Sequence, residues 1–252
     1  MSTAVREPKH ADILRSYGDT LIAKIQKIQN EENTEVTRAA EILTASAQAG
    51  KKIYFFGTGH SFMMSQEVFA RAGGYAGTNM IPIFMPELSS ASHPTKSTAI
   101  ERLPGYADVI MNNYPFQAGD AIVITSNSGR NGLIVELAMR LKELGMHVIA
   151  VTSPNDRLKS RHACGKKLCD IAEVVLNNQT EYGDVSVALT NGLYTGPTST
   201  IISAYLIDAM MAAFMQMCID QNIECKIFES SNIDGGDQHN KDYFEALLNS
   251  RR

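Results

Sequence analysis

Five apolar runs of five or six residues recur along this chain: KIYFF (52–56), MIPIF (80–84), AIVIT (121–125), HVIAVT (147–152) and AEVVL (172–176). None alternates apolar with polar residues, so a strand built from any of them must be buried on both faces. Helical patterns separate them: 61–73, rich in Met and Phe; a stretch near 100–113; and 131–144, amphipathic and ending at Gly145. Apolar strands interleaved with helices specify an α/β fold, a parallel sheet covered on both sides.

Two further helical stretches lead into the first strand. Residues 11–31 place Ile13, Leu14, Tyr17, Leu21, Ile25 and Ile28 at helical spacing, and 33–49 opens at Asn33 as N-cap and closes at Gly50. A long loop, 177–197, precedes a strongly apolar helix, 199–220. The tail 226–252 holds one short strand-like piece, a Gly/Asp-rich loop and a last helix. No internal repeat or linker interrupts this order. The expectation is one domain over 1–252, with its core at about 33–220, a helical N-terminal extension and a C-terminal tail, 221–252.

With 252 residues the chain can bury a full core without disulfides or metals. Its four cysteines follow no framework pattern, which suits a reducing cytoplasm. A net charge of −4 offers no electrostatic attraction for nucleic acid or an acidic membrane. No apolar run is read as membrane-spanning, and residues 1–30 are too polar for a signal peptide.

The chemistry is expected where apolar runs end in glycine and hydroxyl residues. YFFGTGHS (54–61) and VITSNSG (123–129) do this after separate strands. Ligands of an open parallel sheet bind beyond the carboxyl ends of its strands, where helices begin. Backbone N–H groups and the hydroxyls of Thr58, Ser61, Ser126 and Ser128 would converge there on an anion, with Gly57, Gly59 and Gly129 allowing close approach. A Ser/Gly loop also serves as a plain turn, but two after strands of one sheet favour a site. Gly57-x-Gly59 begins a dinucleotide fingerprint, with Glu87 as a ribose ligand, yet Phe62 stands where the third glycine belongs. No Gly-Lys-Ser/Thr completes a P-loop. Phosphate without nucleotide is the better ligand. In GPTSTIISAYLID (196–208), Thr198, Ser199 and Thr200 begin the long apolar helix, where capping alone needs one hydroxyl.

These three segments, Gly57-Thr58-Gly59-His60-Ser61, Ser126-Asn127-Ser128-Gly129 and Pro197-Thr198-Ser199-Thr200, resemble the signature loops of the SIS (sugar isomerase) domain family in order and spacing over about 33–220. GPTSTIISAYLIDAM is similar to the helix start of arabinose-5-phosphate isomerases, and SASHP (90–94) to their Ala-Ser-His segment. NIDGGDQHN (232–240), SNSGRN and SRHACGKKL (160–168) resemble a narrower group of stand-alone SIS proteins without an assigned reaction. The resemblance implies a three-layer α/β/α sandwich with a five-stranded parallel sheet. It also implies phosphosugar binding and a homodimer or homotetramer with sites between subunits. Exposed apolar faces on the two leading helices point to assembly as well. One departure stands out: the family's Ser-x-Ser-Gly-Glu-Thr reads here with Arg130 and Asn131 after Gly129. Asn131 can still donate a hydrogen bond, and Arg130 adds a positive charge.

Isomerisation of an aldose to a ketose requires a base near C1 and C2 and a group that opens the ring. Carboxylate candidates are Glu67 and Glu101; histidine candidates are His60, inside the first loop, His93, after the second strand, and His239, in the Asp234-Gly235-Gly236-Asp237 tail segment. The tail histidine is expected to reach over the sheet's carboxyl edge in its own subunit or a neighbour's. His162 with Cys164 and Cys169, or Asp234 with Asp237 and His239, lack zinc spacing, so no metal or other cofactor is expected. The expected protein is a cytoplasmic phosphosugar isomerase acting on a phosphorylated sugar or amino sugar. An amino-sugar-phosphate etherase and a non-catalytic sugar-phosphate sensor remain alternatives; the absence of a DNA-binding pattern favours the enzyme.

Overall fold

The computed structural model describes residues 10–91, 93 and 95–250. In chain order its elements are α1 (Ala11–Glu31), α2 (Asn33–Gln48), β1 (Ile53–Gly57), α3 (Met63–Glu67), β2 (Met80–Pro82), α4 (Lys96–Ile100) and α5 (Tyr106–Asn113). Then come β3 (Ala121–Thr125), α6 (Gly132–Glu143), β4 (His147–Thr152), β5 (Val174–Asn177), β6 (Val187–Ala188), β7 (Tyr194–Thr195), α7 (Ser199–Asp220) and α8 (Gly236–Asn249). The first five strands form one parallel sheet in the order β2-β1-β3-β4-β5. The strand order therefore reverses between β1 and β3, which is where sheets of this order bind ligands.

The uninterrupted apolar runs are explained by two cores. Alternate residues point to opposite faces. Ile53, Phe55, Val123, Ile149 and Val151 meet Leu43 of α2 and Leu206, Met210 and Phe214 of α7 on one side. Tyr54, Phe56, Ile122, Ile124 and Val148 meet Ile110 of α5 and Leu133, Leu137 and Leu141 of α6 on the other. The result is the expected α/β/α sandwich.

Four local expectations change. First, the helix expected over 61–73 is a 3₁₀ turn, His60–Phe62, and the five-residue α3. Ala70 turns to φ 50° because 73–76 is drawn into pairing with the tail: Gly73 N donates to Phe228 O (2.8 Å) and Ala76 N to Lys226 O (2.7 Å). Second, the stretch near 100–113 is split, with Pro104 and Gly105 separating α4 from α5. Third, Asn33 lies inside α2; Glu32 is the cap, shared with the end of α1. Fourth, the loop 177–197 carries the antiparallel β6–β7 hairpin.

α7 also corrects the reading that no apolar run reaches membrane-spanning length. It is 22 residues long and contains an 18-residue window of mean hydropathy 1.6, enough by length and composition to cross a membrane. In the fold it is a core helix, packed on α2, α3, α1 and β4. Burial on several sides accounts for an apolar surface with almost no polar stripe.

Candidate active site

Gly57 begins the site because only a bare Cα fits there. A Cβ at 57 would lie 2.2 Å from the backbone oxygen of Ser61, so the chain turns back on itself directly after β1. This turn presents Thr58, His60 and Ser61 at the carboxyl end of the sheet. Gly59 N donates to Leu88 O (2.8 Å), joining the loop to the segment after β2. His60 is exposed, with Ser90 Oγ 3.5 Å from its Nδ1.

The second loop is anchored from below. Asn127 O accepts from Ser153 N (2.9 Å) and Thr152 Oγ1 (3.3 Å), and its Oδ1 accepts from Asn178 Nδ2 (3.0 Å). Asn178 is fully buried and also donates to Ser203 Oγ (3.2 Å) of α7. Ser126 Oγ accepts from Gly129 N (3.3 Å), which leaves its own hydroxyl proton to donate elsewhere. Gly129 has φ 58°, and a Cβ there would sit 2.9 Å from Thr152 Oγ1.

Glu101 reaches the site through α6. Its backbone oxygen accepts from Leu133 N (3.1 Å) in the first turn of that helix, and its Oε2 accepts from Asn131 Nδ2. Asn131 Oδ1 in turn accepts from Arg161 Nη1 (2.8 Å). Glu101 is only 8% exposed, yet it borders an open cavity of about 430 Å³. That cavity brings together the first-loop residues Thr58, His60 and Ser61 with Ser126, Asn127, Ser128 and Asn131. Ser199 and Thr200 complete the set from the start of α7. A volume of this size accommodates a sugar phosphate.

Two neighbours of the cavity were not legible in the sequence: Gly183 and Asp184, from the loop after β5. Asp184 Oδ1 accepts from Thr198 N (2.9 Å) and Ser199 N (3.0 Å), and Oδ2 accepts from Ser199 Oγ (2.6 Å). The protein's own carboxylate therefore fills the anion position of α7. α1 holds the loop in place: Lys24 Nζ donates to Gln179 O and pairs with Glu181 (2.7 Å), and Tyr17 donates to Pro197 O (2.6 Å). Asp184→Ala should destabilise the fold by about 1–2 kcal/mol through the lost cap, while inorganic phosphate raises its melting temperature more than that of the wild type. Equal phosphate shifts in both proteins would show that α7 takes no anion.

Several expected residues lie elsewhere. Glu67 ion-pairs with Arg71, which also reaches Asp208 (3.9 Å), and does not line the cavity. His93 is exposed, its Nδ1 3.2 Å from Thr95 Oγ1; Ser92 and Pro94 of the SASHP segment lie outside the described residues. His239 stands in the first turn of α8 with Nε2 3.1 Å from Ile227 O and its ring edge-on to Tyr243 (5.3 Å), not at this chain's cavity. Thr198 is fully buried and its hydroxyl has no partner, so it sits behind the cavity wall. Gly57, Gly59 and Gly129 shape the loops without lining the cavity. Glu87, the ribose ligand of a dinucleotide reading, accepts instead from Tyr106 Oη (2.7 Å); burial first, then this bond, pushes the Tyr106 phenol up to about 12.

A 2-1-3-4-5 parallel sheet with hydroxyl loops beyond β1 and β3 defines a class, the doubly wound α/β/α domains in which a ligand sits at the strand-order reversal. The chain belongs to the SIS domain family, whose model matches residues 16–153. Within it the chain groups with the UPF0309 proteins: it is 34% identical over 238 residues to one from Oceanobacillus iheyensis, covering 92% of this chain and 95% of that one. Among solved structures, the phosphoheptose isomerase of Neisseria gonorrhoeae superposes with a TM-score of 0.55 at 22% identity, covering 84% of this chain and 100% of the other. The NanR protein of Vibrio vulnificus, solved in complex with ManNAc-6P, gives 0.50 at 12% identity, covering 95% and 68%. At these identities the structural likeness establishes the fold.

Proposed function

We propose that this protein binds a phosphosugar in the cavity and interconverts its aldose and ketose forms. The observation that carries the reading is Glu101: a nearly buried carboxylate, oriented by Asn131 and bordering a cavity whose other polar side chains are hydroxyls, the amides of Asn127 and Asn131, the His60 imidazole and the Asp184 carboxylate, the last already bonded to the start of α7. The phosphate goes to the second loop. α3 is too short for a useful dipole and α7 is capped by Asp184, whereas the 12-residue α6 begins beside Ser126, Ser128 and Asn131. The ManNAc-6P complex of the Vibrio vulnificus protein and the likeness to a phosphoheptose isomerase support the same ligand class.

In the open-chain aldose, Glu101 removes the proton from C2. The C–H electron pair forms the C1–C2 double bond, and the carbonyl electrons move to O1. Protonation at C1 by the same carboxyl group then gives the ketose. His60, at the cavity mouth, moves the proton between O1 and O2 and assists ring opening. Such acid–base groups typically contribute about 10²–10⁴-fold each.

The test is solvent exchange. Sugar and amino-sugar phosphates are incubated with the protein in deuterated water and followed by NMR, with melting temperature measured in parallel. Deuterium entering C1 or C2, with ketose appearing, is expected for a sugar phosphate that raises the melting temperature. A thermal shift without exchange would make the protein a sensor, and release of a substituent would make it an etherase. Equal shifts from unphosphorylated sugars would remove the phosphate assignment.

A further inference from the structure

Three arginines adjoin cavity residues without lining the cavity themselves: Arg102, next to Glu101 in the chain; Arg130, next to Asn131; and Arg161, whose backbone N donates to Arg130 O (2.8 Å) and whose Nη1 donates to Asn131 Oδ1 (2.8 Å). Arg161 is tied through Asn131 to Glu101, one residue out from the cavity wall. Among the described residues none of the three guanidinium groups is in an ion pair. Arg130 Nε is buried without a hydrogen-bond partner, an arrangement that is unfavourable until an acceptor arrives. Partial desolvation first, then Arg102 and Arg130, push Arg161 below its usual value, with only Glu101 acting in the other direction. Lys159 and Lys166 add exposed positive charge on the loop that carries Arg161. In a chain of net charge −4 this is a local concentration of cations beside the carboxylate of Glu101.

We propose that Arg102, Arg130 and Arg161 form a second anion subsite beside the phosphate loop, so that the preferred ligand is a phosphosugar carrying a second anionic group, either a further phosphate or a carboxylate. This rests on the phosphosugar reading above and narrows it. The first phosphate is served by the hydroxyls and helix start of the second loop, which require no guanidinium. Arg161 stands on the other side of Asn131 from Glu101's carboxylate in the hydrogen-bond chain. An anion there meets planar donors suited to two oxygens at once.

The test compares paired ligands by calorimetry: fructose 6-phosphate against fructose 1,6-bisphosphate, and glucose 6-phosphate against 6-phosphogluconate. The wild type should bind at least one doubly anionic partner about tenfold or more tightly than its singly anionic counterpart. The bisphosphate arm and the carboxylate arm show which group is taken. The advantage should shrink as salt rises, because the cluster is partly exposed. It should fall to within about twofold in Arg102→Gln while affinity for the monophosphates is retained; one charged hydrogen bond accounts for a change of that order. Arg102→Gln is the cleaner variant, since Arg161 also positions Asn131. Equal binding of both members in each pair would overturn the second subsite and leave the phosphosugar reading standing. Variants that weaken mono- and doubly anionic ligands equally would also overturn it, assigning the arginines to the first phosphate. Binding of no sugar phosphate at all would overturn both.

Discussion

Replacing Glu101 with glutamine is expected to lower kcat for phosphosugar isomerisation by about 10²–10⁴-fold, the usual contribution of a positioned general base. The variant keeps an oxygen that can accept from Asn131, and its backbone bond to Leu133 is untouched, so the melting temperature should change little. Because the amide cannot take a proton from carbon, deuterium exchange should fall in step with turnover while KM stays within a few-fold. His60→Gln should show a smaller loss, since solvent at the exposed cavity mouth can substitute for it in proton movement. Turnover within about threefold of wild type in Glu101→Gln would remove this carboxylate as the base. Among the described residues the other carboxylate that borders the cavity, Asp184, is committed to α7.

The second large effect belongs to the phosphate. Ser126→Ala with Ser128→Ala should weaken sugar-phosphate binding by about 10²-fold or more, since each hydrogen bond to a charged acceptor is worth about 1.5–3 kcal/mol. Affinity for the corresponding unphosphorylated sugar should not change. Ser126 also accepts from Gly129 N, so about 1 kcal/mol of stability should be lost with it. That loss is modest because Asn127 remains tied to Ser153, Thr152 and Asn178. Binding is measured by calorimetry and folding by thermal melts on the same preparation. Retained affinity in the double variant would move the phosphate away from the second loop.

Much of the architecture was legible because it is local. The five apolar runs become β1 to β5, and helix 199–220 becomes α7 to the residue. Strand and helix periodicities are properties of neighbouring side chains, and a run buried on both faces carries its own signal. The same holds for the two glycine-hydroxyl loops: Gly57 and Gly129 are required by turns only a few residues long. Where a distant segment intervened, local reading failed. The apolar pattern of 61–73 continues, but pairing of 73–76 with Phe228 and Lys226 outweighs its helical preference, and the helix stops at Glu67. Propensity is a weak prior against such contacts.

The choice among chemically equivalent residues came from tertiary structure alone. Glu67 and Glu101 were indistinguishable candidates in the chain; folding places the first against Arg71 and the second on Asn131 at the cavity. His60 enters the cavity while His93 and His239 do not, and Thr198 is buried while Ser199 and Thr200 face it. No periodicity marks Asp184, because its role depends on a loop held by Lys24 and Tyr17 from a helix more than 150 residues away in the chain. A catalytic geometry is a set of distances between residues remote in sequence, and those distances follow from how the layers pack. The glycine and hydroxyl loops are written in short stretches of sequence; which carboxylate stands at the cavity on Asn131, and which takes an anion's place at a helix end, is decided only when the chain has closed.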